Sequence, residues 1–313
     1  MYKVRNAVVL MMIALLTACS GAPQTMVAKN TATLTVNKVT PVATETLEVA
    51  APASISTPRP TLAVNEWQNL PIVPTVSDTA RAIYQRGLAM GNNPQVFSKV
   101  GDCQTSTDFF LVEFDHAGQY SLGDQHAELQ STIDYYQGSF SRQSMAVKDG
   151  FNVAAVVSPL RADPKQCKAG ETPLACEYRL NKPSVALISM ETNFNQRTAD
   201  DYGKYMRQIV EYTISQGIVP VLGTKADNKE GNNSINAEIA LIANEYDIPM
   251  WNVWAAAHPL PNHGFDLSLN DGFHLSLGKN YTFDDSKNMQ EAWPWRNLTA
   301  LEVLDAMRKG LSK

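Results

Sequence analysis

The 313-residue chain has little that would suit it to nucleic acid, a nucleotide or a metal. Its 26 lysines and arginines are outnumbered by 31 acidic residues and form no basic block, so we expect no nucleic-acid partner. The sequence has no phosphate-binding glycine loop, no dinucleotide fingerprint and no His or Cys cluster at ligand spacing. We therefore expect no cofactor and no bound metal.

The N-terminus has the pattern of an export signal. Lys3 and Arg5 precede an apolar run, Ala7–Leu15, that is too short to cross a bilayer comfortably. The run ends in Leu16-Thr17-Ala18-Cys19, which resembles the lipobox of bacterial lipoproteins. That resemblance implies a signal peptide over residues 1–18, lipidation of Cys19, and a domain held outside the cytoplasm on a bacterial membrane by acyl chains. The alternative is an ordinary signal peptide cut nearby.

Residues 19–65 differ in composition from the rest of the chain. They are rich in Thr, Ala, Val and Pro, with almost no aromatic residue and no sustained periodicity. Such a segment cannot bury a core, and we interpret it as a disordered tether. Tryptophan, tyrosine and phenylalanine become frequent after it, which predicts a folded domain over residues 66–313, large enough for one core.

Four cysteines are present, and their surroundings differ. Cys167 and Cys176 lie in a polar segment with Pro and Gly at its turns, which favours a local disulfide in an exported protein. A metal site is the alternative, but no nearby His or further Cys lies at ligand spacing. With Cys19 assigned to lipid, Cys103 remains as an odd cysteine in the stretch VGDCQT.

The domain alternates between strand and helix patterns. Strands are predicted at Gln95–Val100, Ser184–Met190, Ile218–Thr224 and Ile248–Trp254, and less clearly at Phe151–Val157, where a helix starting at Arg142 is the alternative. Helices are predicted from Ser77 or Asp78 to Gly91, and over Ala127–Tyr136, Tyr202–Ile214, Ile235–Tyr246 and Leu298–Leu311. The alternation predicts an α/β domain with a parallel sheet covered on both faces, and a working site at the carboxyl ends of its strands.

A carboxylate three residues before an imidazole, Asp271-Gly272-Phe273-His274, is the second chemical signal. A carboxylate bonded to one ring nitrogen fixes the tautomer and leaves the other nitrogen as a base. Residues at this spacing can approach each other within one helical turn. By itself, the pattern is also common among solvated loop residues.

Three motifs in order resemble the SGNH (GDSL-type) hydrolases over roughly residues 93–311. The resemblance implies a flavodoxin-like α/β/α sandwich, with Cys103 at the position of the family's nucleophilic serine and Asp271 and His274 as its partners. It implies oxyanion donors at Asn193 and at a glycine, for which we choose Gly138 and, second, Gly150. The sequence departs from the family at three points: cysteine replaces serine, and Glu191 and Phe194 stand where the family has glycine and aspartate.

Two functions follow as hypotheses. In the first, a Cys103 thiolate, its pKa lowered by His274, forms a thioester with the acyl group of an ester, for example of a carbohydrate. In the second, the cleft is catalytically silent and binds a glycan or another envelope polymer. Weaker candidates for cleft roles are two histidines, a loop after the third predicted strand and two tryptophans: His258, His263, Lys225, Asp227, Trp293 and Trp295.

Overall fold

The computed structural model describes residues 62–63, 65–106, 108–190 and 197–313. The predicted signal peptide, Cys19, nearly all of the predicted tether, and the segment holding Glu191, Asn193 and Phe194 lie outside the described residues.

A parallel four-stranded sheet organises the described part of the chain, in the order β1-β2-β3-β4. The strands are β1 (Asn93–Gly101), β2 (Pro183–Ser189), β3 (Val219–Gly223) and β4 (Met250–Trp251). Every residue of β2 and β3 is buried, as expected for central parallel strands that read as continuous apolar runs.

Helices cover both faces of this sheet. They are α1 (Asp78–Ala89), α2 (Cys103–Ser106), α3 (Gln130–Tyr135), α4 (Pro173–Asn181), α5 (Ala199–Ser215), α6 (Ser234–Tyr246), α7 (Val253–Ala257) and α8 (Ala292–Leu311). The helices α5 and α6, which follow β2 and β3, pack against each other on one face of the sheet. The first and last helices, α1 and α8, contact each other on the opposite face. The predicted α/β fold class is confirmed. No described helix combines the length and apolarity that crossing a bilayer requires.

Local chemistry explains where the main elements begin. The Ser77 hydroxyl accepts a hydrogen bond from the backbone N–H of Ala80 at 3.0 Å and caps α1, as its sequence predicts. The turn before β3 contains Gly217, with φ +67°, and packs directly on Gly87 of α1. A Cβ atom on Gly87 would lie 1.9 Å from the carbonyl oxygen of Gly217, so this close contact requires glycine.

Two predicted strands differ from the structure. The run Phe151–Val157 is a series of turns, because the Asn152 side chain accepts hydrogen bonds from the N–H groups of Ala154 and Ala155 and folds the backbone. The strand predicted at Ile248–Trp254 is shortened to β4. There the Asn252 side chain caps α7 through the N–H of Ala255 and starts a helix where apolar content alone indicated a strand.

The predicted disulfide between Cys167 and Cys176 is present. It joins Cys167, in the loop before α4, to Cys176 within α4, and the Arg179 side chain adds hydrogen bonds to Glu171 of that loop. Glu171 lies close to both sulfur atoms, but sulfurs joined to each other offer no thiolate ligands for a metal.

Candidate active site

Cys103 lies at the first position of α2, immediately beyond the carboxyl end of β1. The Asp102 backbone carbonyl accepts from the N–H groups of Thr105 and Ser106, both at 2.9 Å. The Asp102 carboxylate accepts from the N–H of Gln104 at 3.2 Å. Asp102 is thus the capping residue that turns the chain from strand into helix, and Cys103 is left half-buried at the sheet edge.

Gly101 makes this tight turn sterically possible. A Cβ atom at this position would lie 2.3 Å from the Thr105 hydroxyl oxygen and 2.6 Å from the carbonyl oxygen of Ser189. The Thr105 hydroxyl donates to that Ser189 carbonyl at 3.2 Å, which fastens α2 onto the end of β2. The glycine of the GDC stretch is therefore required by packing, independently of any resemblance.

Asp271 and His274 form the pair that the D-x-x-H spacing predicts. Asp271 Oδ2 and His274 Nδ1 are 2.5 Å apart, and Asp271 Oδ1 accepts from the backbone N–H groups of Phe273 and His274 at 3.1 and 3.0 Å. Burial alone would raise the pKa of Asp271, but hydrogen bonds from the backbone and ring of His274 outweigh it and lower that pKa to about 2. The carboxylate is ionised at neutral pH, and a ring that donates from Nδ1 has Nε2 left as a base.

One pocket at the carboxyl edge of the sheet brings the thiol and the imidazole together. Its volume is about 200 Å³, and the residues that line it are Cys103, Gln104, Phe109, Asp266, Leu269, His274, Leu275, Leu277 and Trp293. The Gln104 side-chain amide donates to the Phe273 carbonyl at 2.6 Å and ties α2 to the D-x-x-H loop. A larger cavity of about 380 Å³, at the start of β4, is lined by neither the thiol nor the imidazole.

A buried cation, Arg296 of α8, lies behind the pocket. Its side chain donates to the Ser189 hydroxyl at 3.1 Å, and its guanidinium carbon lies 4.7 Å from the Phe110 ring centre and 5.9 Å from that of Trp293. Burial lowers the pKa of Arg296 to about 10, although electrostatic interactions with Asp102 and Cys103 oppose that shift. Arg296 is therefore still a cation at neutral pH, and it acts on the turn that carries the thiol.

The loop after β3 adds a second buried charge cluster at the same edge. Lys225 Nζ lies 3.1 Å from Asp227 Oδ1 and 2.7 Å from Glu230 Oε2, and all three side chains are at most 3% exposed. Burial raises the pKa of Asp227 to about 6, against the charge and hydrogen bond of Lys225. Lys229 of this loop donates to the backbone carbonyl of Asp271 at 2.6 Å, so the cluster supports the D-x-x-H loop. Neither Lys225 nor Asp227 lines the pocket.

The predicted oxyanion donors are not brought to the pocket among the described residues. Asn193 lies outside them. The Gly138 N–H donates to the Asp115 carboxylate at 2.7 Å, and Gly138 is not part of the pocket lining. The second choice, Gly150, follows Asp149, whose carboxylate accepts from the Ser106 hydroxyl at the end of α2. The loop of Gly150 thus contacts α2, the helix that carries the thiol.

The remaining predicted candidates divide between the pocket and other packing roles. Trp293 lines the pocket and packs edge-to-face on Phe109, with ring centres 5.8 Å apart. His258 stacks between Trp254 and His263, with ring centres 4.1 and 4.3 Å apart, and is not a lining residue. Trp295 donates from its indole nitrogen to the Met289 carbonyl.

Sequence reasoning missed Gln104, Phe109, Arg296 and the pocket leucines. Gln104 directly follows Cys103, and its polarity at the start of a helix beside the thiol was an available signal. Arg296 is the single charged residue in WPWRNLTAL, an otherwise uncharged helical stretch, which marks it as a cation that enters the core.

Comparison with known proteins gives a likeness of fold only. No protein-family model matches the sequence, and a search of curated proteins found no match. Among solved structures, the chain is similar to a GDSL-like lipase from Bacteroides thetaiotaomicron, at 12% identity and a TM-score of 0.41, over 72% of this chain and 97% of that one. It is also similar to the lipase/acylhydrolase from Enterococcus faecalis, at 13% identity and a TM-score of 0.40, over 68% and 95% of the two chains.

Proposed function

We propose that the chain is a hydrolase of acyl esters, carbohydrate esters included, with Cys103 as nucleophile, His274 as base and Asp271 as the residue that orients it. The observation that carries this proposal is the shared pocket, lined by the thiol and by an imidazole whose Nδ1 is bonded to an ionised carboxylate. That arrangement has the roles of a nucleophile–base–carboxylate triad.

The reaction would run in two balanced steps. His274 Nε2 takes the proton of the Cys103 thiol, the sulfur attacks the ester carbonyl carbon, and the alcohol leaves with the proton returned by the imidazolium. Water then attacks the thioester, with His274 as base, and releases the carboxylic acid and the thiol. In this scheme Asn193 and backbone amides near α2 stabilise the oxyanion, an assignment that rests on the resemblance to SGNH hydrolases.

The test is turnover of p-nitrophenyl acetate by four forms of the protein: the natural chain, Cys103→Ala, Cys103→Ser and His274→Ala. We expect a burst of nitrophenolate from the natural chain that iodoacetamide abolishes, and a loss of about 10²- to 10⁴-fold in kcat for His274→Ala. Turnover only in the Cys103→Ser form would mean that the natural site is silent and would favour the glycan-binding alternative. Inactivity of all folded forms toward a panel of esters would sink the hydrolase proposal.

We further propose that the domain is held on the outer side of a bacterial membrane by lipid on Cys19. The lipobox-like LTAC sequence and the tether composition support this. Metabolic labelling with radioactive palmitate should mark the natural chain and not the Cys19→Ala variant, which should leave the membrane fraction. Equal labelling of both forms would contradict the assignment.

A further inference from the structure

The walls of the Cys103 pocket are mainly hydrocarbon. Five lining residues are large and apolar, and they come from three separate chain segments: Phe109, Leu269, Leu275, Leu277 and Trp293. Phe109, Leu269 and Leu277 are 44%, 53% and 48% exposed. Large apolar side chains grouped around one cavity and left in water mark a surface that a ligand can cover.

The polar lining residues are already engaged within the protein. Gln104 Nε2 donates to the Phe273 carbonyl, and Asp266 Oδ1 accepts from the backbone N–H and the hydroxyl of Ser268. These hydrogen bonds from Ser268 lower the pKa of Asp266, which is therefore ionised at neutral pH. A negative charge in the lining disfavours an anionic ligand. Apart from the two reacting groups, the pocket thus offers a neutral ligand chiefly apolar contact.

We propose that this pocket binds the hydrocarbon chain of the acyl group, so that the substrate class is a neutral ester of an acyl chain longer than acetyl. The proposal rests on the proposed hydrolase function and deepens it. A methylene has about the volume of a water molecule, roughly 30 Å³. The cavity of about 200 Å³ therefore accommodates a chain of about six carbons. The anionic acid formed by hydrolysis would be repelled by Asp266, which favours its release.

The kinetic test is a series of p-nitrophenyl esters from acetate to decanoate, with the full-length protein. We expect kcat/KM to rise about fourfold per methylene, the equivalent of about 0.8 kcal/mol, and to stop rising near six carbons. Leu269→Gln and Leu277→Gln should reduce the hexanoate-to-acetate ratio of kcat/KM at least several-fold. Leu267→Gln is the matched control, because Leu267 is 66% exposed in the same region but does not line the pocket. It should keep the natural ratio.

A second measurement separates this proposal from the hydrolase proposal. The neutral ketone 2-octanone should protect Cys103 from alkylation by iodoacetamide in the natural chain, measured by mass spectrometry, whereas acetone should not. Protection without turnover of any ester would support the apolar pocket and reject the hydrolase. Turnover with no dependence on chain length would support the hydrolase and overturn the pocket proposal. The absence of protection in a chain that turns over no ester would overturn both proposals.

Discussion

The Gln104 side chain donates to the carbonyl of Phe273 at 2.6 Å, and so joins the residue after Cys103 to the residue before His274. These two residues are 169 positions apart in the sequence. This hydrogen bond therefore fixes the position of the proposed nucleophile relative to its base, although the two residues come from opposite ends of the domain sequence.

Replacing Gln104 with leucine should impair turnover without unfolding the domain. Leucine keeps most of the volume but removes the donor, and a displacement of about 1 Å between reacting groups can reduce the rate on the order of 100-fold. We expect kcat/KM for p-nitrophenyl acetate to fall between about tenfold and 100-fold, with little change in melting temperature. Gln119→Leu, at an exposed position, is the control. A Gln104→Leu rate within twofold of the natural rate would show that the bond does not position the site.

Arg296 should make the Cys103 thiol more acidic. It is a buried cation, and it interacts electrostatically with Asp102 and Cys103. Loss of the cation in Arg296→Met should raise the pKa of the thiol, which would slow alkylation by iodoacetamide at neutral pH up to about tenfold. Arg296→Lys should restore part of the rate.

The measurement is the rate of Cys103 alkylation as a function of pH, whose midpoint reports the pKa of the thiol. A merely structural role for Arg296 would not move that midpoint. Arg308→Met removes a cation from the same helix and should leave the midpoint in place. An unchanged midpoint in a folded Arg296→Met protein would contradict the electrostatic role.

Asp227 should make the domain less stable as the pH rises from about 4 to 6. Its pKa is raised from the usual 3.8 to about 6 in the folded chain, so the folded state binds this proton more tightly than the unfolded state does. That contribution to stability is fully present below the unfolded pKa and is lost as the pH passes the folded pKa. Asp227→Asn does not titrate and should lack this loss.

Urea denaturation at several pH values would measure the effect as the difference between the natural chain and Asp227→Asn, because the other titrating groups are common to both. Asp124→Asn, at an exposed carboxylate, is the matched control and should follow the natural curve. A constant difference between the natural chain and Asp227→Asn from pH 4 to 6.5 would refute the prediction.

The disulfide should stabilise the folded domain. Its cysteines are 9 residues apart in the sequence. Closing a loop of this size lowers the conformational entropy of the unfolded chain and so raises the free energy of unfolding by about 2–3 kcal/mol. The double variant Cys167→Ala/Cys176→Ala should lose about that much free energy of unfolding in urea, and reductant should then have no further effect. If reductant leaves the stability of the natural chain unchanged, the disulfide contributes little.

The elements predicted well from sequence are those whose burial is uniform along the chain. The continuous apolar runs of β2 and β3 predict strands only. The helical spacing from Tyr202 to Ile214 predicts a helix only. The errors fall where one asparagine side chain overrides an apolar run, at Asn152 and Asn252. There a local hydrogen bond to the backbone decides between strand and turn, and hydrophobic periodicity does not register it.

The candidate site divides in the same way. The Asp271–His274 pair depends on spacing within one loop, and a local pattern can predict it. The bond from Gln104 to Phe273, the position of Arg296 and the apolar wall of the pocket depend on how distant segments converge, which no local pattern contains. Gly138 does not line the pocket, and which glycine lies beside the thiol also depends on how distant segments converge.

The absence of a side chain at Gly101 has a consequence for engineering. A Cβ there would overlap both Thr105 and Ser189. The turn that carries Cys103 therefore packs closely on the neighbouring strand β2 as well as on its own helix α2. A designer who transplants this thiol-bearing turn onto another α/β scaffold must transfer the end of β2 with it, because the turn grafted alone would lack the strand on which it packs.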